Sequence, residues 1–200
     1  MDTMNFFTEK HVDDGAAERT DQEIVTLAKE DPEMFGLIME RYEAALTRYL
    51  VRLTGWGQEE VGDILQEVFI KAYRYLNDYD HNLKFSSWIY RIAHNQAIDT
   101  LRHHTAHHTL TVLPFEDVAR MIPADIDIED DVSHRDDLNK IRKAIHALPL
   151  RYRDVLILRC LEEKNYEEIM DILKKPKGTI ATLVKRGREL LFEKLYQDKA

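Results

Sequence analysis

Several runs of this sequence gather side chains suited to binding rather than to bond-breaking. Asp63, Gln66 and Glu67 project from one side of a helical run, with Arg74 beside them. At about 100° per residue, Val61, Ile64, Leu65, Val68, Phe69, Ala72 and Leu76 fill the opposite arc. An acidic-amide face backed by an apolar one is a docking surface for a basic partner. A second stripe, Trp88, Arg91, Asn95 and Arg102, recurs at helical spacing, with Ile89, Ala93, Ala97 and Leu101 on the other flank. The segment before it offers Tyr79, His81, Asn82 and Lys84. Aromatic rings and guanidinium groups stack unpaired bases, and amides read base edges. Near the C-terminus, Ile180, Leu183, Val184, Gly187, Leu190 and Leu191 share one helical face, whereas Thr182, Lys185, Arg186 and Glu189 share the other. Such a helix fits a major groove and offers hydroxyl, ammonium and guanidinium groups to bases and phosphates.

Other chemistries find less support. His103, His104, His107 and His108 form two pairs at i, i+4, a zinc-like spacing, but no acidic or thiol ligand lies close by in sequence. No phosphate loop, dinucleotide fingerprint or Ser/His/Asp grouping is present, so neither an enzyme nor a cofactor is expected. The single cysteine, Cys160, excludes an internal disulfide, and its apolar neighbours Val155 to Leu158 predict it in a core. No stretch reaches the roughly 18 apolar residues of a membrane span, and the polar first 20 residues lack an apolar signal core. A cytoplasmic protein is expected.

These faces need helices to carry them. Glycine and proline are scarce, and apolar residues recur at three and four, which predicts an all-α chain. Residues 1–20 read as a disordered tail. Helices are predicted from Asp21, from the Asp31-Pro32 cap, over 59–76 and over about 86–102, with Gly55-Trp56-Gly57 as a break. They make a first unit over 21–102. Periodicity then fails over 103–137, where Pro114, Pro123 and acidic residues mark a flexible linker. The aperiodic stretch from His103 to about His134, roughly 30 residues, reaches about 100 Å when extended; two duplex turns span only about 70 Å. The second unit, 138–196, has predicted helices at 138–148, 151–162, 166–173 and 179–196. The last two flank Lys174-Lys175-Pro176-Lys177-Gly178, a helix-turn-helix pattern.

Charge follows the same division. The net charge is −9 overall, −8 over 1–112, −7 over 113–137 and +6 over 138–200. A basic C-terminal unit can meet phosphate, but an acidic whole binds free DNA poorly, which points to a protein that engages DNA with a partner.

The segment Asp63-Ile64-Leu65-Gln66-Glu67-Val68-Phe69-Ile70-Lys71-Ala72-Tyr73 strongly resembles region two of bacterial sigma factors, as does Lys84-Phe85-Ser86-Ser87-Trp88-Ile89-Tyr90-Arg91-Ile92-Ala93-His94-Asn95. Leu148-Pro149-Leu150-Arg151-Tyr152-Arg153-Asp154-Val155 resembles the start of region four, and Tyr166-Glu167-Glu168-Ile169 with Gly178-Thr179-Ile180 resembles its helix-turn-helix. With no region-three domain between them, the resemblance is to the extracytoplasmic-function (ECF) subfamily.

The resemblance implies the following roles. Asp63, Gln66 and Glu67 dock on the β′ clamp helices of core RNA polymerase, and the second unit meets the β flap. Tyr79, His81, Asn82, Lys84, Trp88, Tyr90, Arg91 and Asn95 grip the unpaired minus-ten strand, where a base is held in a pocket. Lys177, Thr179, Ala181, Thr182, Lys185, Arg186 and Arg188 face the minus-thirty-five duplex of promoter DNA. The acidic linker threads the polymerase channel, and an anti-sigma factor restrains the protein. The family often carries Arg or Lys where this chain has Ala181 and Leu183, so base contacts rest on Thr182, Lys185 and Arg186. Lys174, Lys175 and Lys177 replace smaller turn residues and offer phosphate contacts instead. The alternative, a stand-alone helix-turn-helix regulator with the first unit as sensor, predicts tight DNA binding without polymerase.

Overall fold

The computed structural model describes residues 19–107 and 140–197, all in helices and their connections. The expected tail (1–18 of it), most of the expected linker, His108 and the first residues of the predicted helix 138–148 lie outside the described residues.

Helix α1 (Asp21–Glu30) opens on a capping box. The Glu23 N–H donates to Thr20 Oγ1 at 3.3 Å, and the Thr20 N–H donates back to Glu23 at 2.7 Å. Asp31 then caps a 3-10 turn, Pro32–Met34, that leads into α2 (Phe35–Thr54). Asp21 ties α1 to α2 through Arg41, at 3.0 Å, and through the Tyr42 hydroxyl. Gly55 closes α2 at φ +76, a left-handed conformation that side chains with a Cβ adopt at a cost. Helix α3 (Gln58–Arg74) ends in a 3-10 turn, Leu76–Asp78. Helix α4 (Phe85–His107) starts close to its expected position but runs beyond the expected Arg102. No glycine or proline follows Arg102 until Pro114, so the backbone continues after the apolar pattern has faded.

Residues 140–146 form α5. Helix α6 (Leu150–Leu156) runs directly into a π-helical turn, Ile157–Leu161. That turn fits one extra residue into the coil, and the Glu162 N–H reaches back to the Ile157 carbonyl at 3.0 Å. The change of phase corrects one expectation: Cys160 is exposed rather than in a core. Helix α7 (Tyr166–Leu173) carries its own capping box between Asn165 and Glu168. Helix α8 (Lys177–Gln197) begins two residues earlier than the sequence predicts. The connection is therefore Lys174-Lys175-Pro176, made tight by Lys174 at φ +51.

One apolar cluster joins the units. Leu46, Tyr49, Leu50, Val68 and Ile89 from the first are continuous with Ile157, Leu158, Ile169 and Ile172 from the second, all nearly inaccessible. Each such side chain contributes about 1.5–3 kcal/mol by burial. A second cluster, Leu148, Tyr152 and Leu156, seats α8 through Leu183, Leu190 and Leu191. Gly187 lets α8 approach closely: a Cβ there would meet Leu156 at 3.2 Å.

Two outcomes follow from this packing. A Cβ at Gly55 would lie 3.0 Å from the His146 ring. Gly55→Ala is expected to lower stability in urea unfolding by about 1–2 kcal/mol from the left-handed backbone alone, and further from the ring contact. The second concerns Asp154. Burial pushes its carboxyl up to about 6, although Lys175, the Val155 N–H and Arg153 favour the charged form. Between its ordinary value of 3.8 and about 6 the folded chain holds a proton that the unfolded chain has released. Asp154 therefore costs stability as pH rises through that window, and the cost is fully present at neutral pH. Asp154→Asn is expected to raise stability at pH 7 by about 1–3 kcal/mol and to shrink that advantage toward pH 4, as paired denaturation series will show.

Candidate polymerase and promoter interfaces

Asp63, Gln66 and Glu67 are all exposed on α3, opposite buried Val61, Ile64, Leu65 and Val68. The amphipathic pattern alone sets this orientation. Ile70 and Arg74 are also exposed on this helix. Continued at the same helical period, the acidic-amide face meets an apolar and then a cationic group.

The candidate minus-ten residues divide into two sets. His81, Asn82, Lys84 and Asn95 are exposed, and Arg91 is half-buried. Tyr79, Trp88 and Tyr90 are buried, at 3%, 5% and 3% exposure, which corrects the expectation of an open aromatic stripe. Tyr79, Phe85 and Trp88 pack as one aromatic group with ring centroids 5.2–5.5 Å apart. Rings of this size gain more from mutual burial than from water, and the Tyr79 hydroxyl is satisfied by the Leu83 carbonyl. The cluster thus stiffens the segment that presents His81, Asn82 and Lys84. Asp80 adds to this, accepting from both the Asn82 N–H and its side-chain amide at 2.9 Å.

Tyr90 is held differently. Its hydroxyl donates to Glu162 at 2.9 Å, and burial together with Glu162 raises its pKa far above the ordinary phenol value. Beneath it, Tyr49 meets His94 Nδ1 at 3.0 Å. Burial holds His94 down to about 4 and Tyr49 well above 10, so both are neutral near pH 7.

Three participants escaped the sequence reading. Lys29 Nζ lies 3.1 Å from His81 Nε2 and 5.9 Å from the Tyr79 ring centroid, bracing the loop from α1. Arg52 and Glu162 form an ion pair at 2.7 Å. Fifty and more residues separate these partners, so no local pattern signals them. Within the histidine cluster, His104 packs on Trp56 with ring centroids 4.6 Å apart. Among the described residues no three His, Cys, Asp or Glu side chains gather in a metal-binding group.

In the second unit Lys177, Thr179, Ala181, Thr182, Lys185, Arg186 and Arg188 are all exposed on α8, while Ile180 and Val184 are buried and Leu183 packs inward. The Thr182 hydroxyl bonds back to the Gly178 carbonyl at 2.9 Å. Nothing in the described helices is long and apolar enough to cross a membrane.

An all-helical pair of units with a polar face on α3, a braced loop before α4 and a basic helix-turn-helix defines a class, and comparison with known proteins identifies it. Residues 38–107 match the family described as Sigma-70 region 2, and residues 138–191 match Sigma-70, region 4. The chain belongs to the sigma-70 family, in its ECF branch. It is 34% identical to the ECF RNA polymerase sigma factor SigW of Bacillus subtilis over 86% of this chain and 94% of that one. It is 30% identical to the ECF RNA polymerase sigma-E factor of Haemophilus influenzae over 90% and 97%. Among solved structures, CnrH in complex with the cytosolic domain of CnrY shares the fold with a TM-score of 0.64 at 20% identity, over 89% of this chain and 98% of that one. Sigma factor RpoE of Bartonella quintana, solved with the anti-sigma factor NepR, gives 0.62 at 21% identity, over 81% and 96%. This chain is accordingly a sigma factor, directing RNA polymerase to initiate transcription at promoter DNA. The stand-alone regulator is disfavoured, because relatives match through both units.

The burial of Trp88 has a measurable consequence. Trp88→Ala is expected to cost about 3–5 kcal/mol of stability in chemical denaturation, whereas Asn95→Ala, at an exposed position, leaves stability nearly unchanged.

Proposed function

We propose that the three polar faces divide the work of initiation, and that the protein acts in the cytoplasm through binding energy alone, leaving the chemistry to polymerase. Asp63, Gln66 and Glu67 dock on the β′ clamp helices, and the second unit meets the β flap. His81, Asn82, Lys84, Arg91 and Asn95 hold the unpaired minus-ten strand, with Tyr79, Trp88 and Tyr90 as the aromatic floor beneath it. Lys177, Thr179, Ala181, Thr182, Lys185, Arg186 and Arg188 meet the minus-thirty-five duplex. The unit boundaries follow the same division, 21–102 and 138–196, with α4 carrying the first unit on to His107 before the acidic segment that runs to 137.

The observation that carries this reading is the sidedness of α3 and α8: every candidate polymerase and minus-thirty-five residue is exposed while the opposite faces are buried. An acidic chain gains little from free DNA, so polymerase supplies the remaining affinity. The two solved relatives are each complexed with a protein partner, one described as an anti-sigma factor. By the same likeness an anti-sigma partner is proposed for this chain.

Replacing Asp63, Gln66 and Glu67 together with alanine is expected to weaken binding to core polymerase by at least about tenfold without loss of helicity. Unchanged affinity removes these residues from the docking face. Arg91→Ala combined with Asn95→Ala is expected to reduce the permanganate reactivity of promoter thymines in the open complex while polymerase binding persists. Undiminished reactivity removes them from strand capture.

A further inference from the structure

Cations gather where α5 runs along the end of α2. A Cβ at Gly55 would lie 3.0 Å from the His146 ring, and Arg153 donates to both the Leu53 and the His146 carbonyls. One helical turn before His146 stands Arg142, half-buried; one turn before Arg52 stands Arg48, exposed. Arg52 donates to Glu162 at 2.7 Å and to the Leu161 carbonyl at 3.1 Å. Both bonds leave from Nη1, and among the described residues Nη2 has no partner. Lys164 lies over the Tyr90 ring, 4.4 Å from its centroid. The charges of Arg48 and Arg52 both reach the Tyr90 hydroxyl. Burial and the charge of Arg52 together disfavour the charged form of Arg142.

The carboxylates present do not balance these cations. Among the described residues neither Arg48 nor Arg142 has a hydrogen-bond or ion-pair partner. No Asp or Glu stands three or four residues from either along the chain, the spacing that neutralises a charge within one helix. Glu162 is committed to Arg52 and to the Tyr90 hydroxyl, with only 6% of its side chain exposed. We propose that Arg48, Arg52 and Arg142, with Lys164 at the edge, form a binding site for a small polyphosphate anion, a chain of phosphoryl groups either free or carried on a nucleotide. These four side chains have none of the promoter or polymerase roles assigned above. Guanidinium forks match phosphate oxygens two at a time, and forks on separate helices suit a ligand with several phosphoryl groups in line. Like charges held together without a counter-ion repel, and an anion that enters removes that cost. The chain is acidic overall, but salt screens distant carboxylates beyond about 8 Å, so the local cations decide. Lys164 covers the Tyr90 ring, which leaves the phosphate chain rather than a base as the part recognised.

Titration calorimetry of the full-length chain with sodium tripolyphosphate tests this, in a buffer free of phosphate and magnesium at physiological salt. The full chain is used so that all its carboxylates compete in the assay. One-to-one binding is expected. Arg142→Gln and Arg48→Gln are each expected to weaken it by roughly tenfold; Arg48 is exposed, so that variant keeps the fold. Lys185→Gln, the same loss of charge on the exposed face of α8, is expected to leave the affinity unchanged. Binding too weak to measure overturns the site, as does equal weakening by Lys185→Gln. Guanosine triphosphate in a parallel titration separates the sources: tighter binding than tripolyphosphate assigns the site to a nucleotide, and equal or weaker binding assigns it to the bare phosphate chain.

A second readout needs no heat of binding. A ligand that binds the folded chain raises its unfolding midpoint by mass action. Tripolyphosphate is expected to raise the midpoint of the native chain and to raise that of Arg142→Gln by less. Equal rises overturn the site. A nucleic-acid backbone is the rival occupant. If a mixed-sequence single-stranded oligonucleotide loses affinity in both arginine variants while tripolyphosphate fails to displace it from the native chain, the cations serve a strand and the small-anion assignment falls.

Discussion

Packing on both flanks of α4 is the constraint from which the remaining arrangement follows. One flank, with Ile89, Ala93 and Ala97, completes the core of the first unit against α2 and α3. Another lies against α7. A helix buried on two sides has little perimeter left for solvent, and its aromatic residues follow suit: Trp88 turns into the ring cluster with Tyr79 and Phe85. What remains exposed is polar: Asn95, Asp99, Arg102, His103 and His104, with part of Arg91 and the loop before the helix. Lys29 and Asp80 hold His81 and Asn82 of that loop in place.

Much of this was legible in the sequence, because periodic burial is a local property. The acidic-amide face of α3 and the basic face of α8 come out as a 3.6-residue period predicts, and Gly187 sits where α8 must approach Leu156. Caps were equally visible, at Asp31-Pro32 and at Gly55. The aromatic stripe was not. Spacing places Trp88 beside Arg91 and Asn95, but whether a tryptophan points to water depends on Tyr79 and Phe85, which arrive from the preceding loop. Nor did periodicity foretell the π-helical turn at Ile157–Leu161. That single extra residue turns Cys160 outward and carries Glu162 toward Arg52. The bridge from Arg52 to Glu162 spans more than a hundred residues, so only tertiary packing brings it about.

Electrostatics links these local features to initiation. The basic charge of the chain is concentrated in the second unit, yet the groups of that unit that pair with the first include the acidic Glu162 and Glu168. The same unit thus exposes cations on α8 and turns carboxylates toward the first unit around α7. The exposed cations of the second unit lie on α8, whereas α4 is packed against α7.

The central claim is that this chain, given core polymerase, selects and opens promoters. Transcription reconstituted from purified chain and core enzyme on fragments of genomic DNA, with the 5′ ends of the RNA mapped, tests it most directly. The account predicts discrete start sites, absent with core enzyme alone, that share one pair of upstream elements. Transcripts whose ends are the same with and without the chain would contradict it.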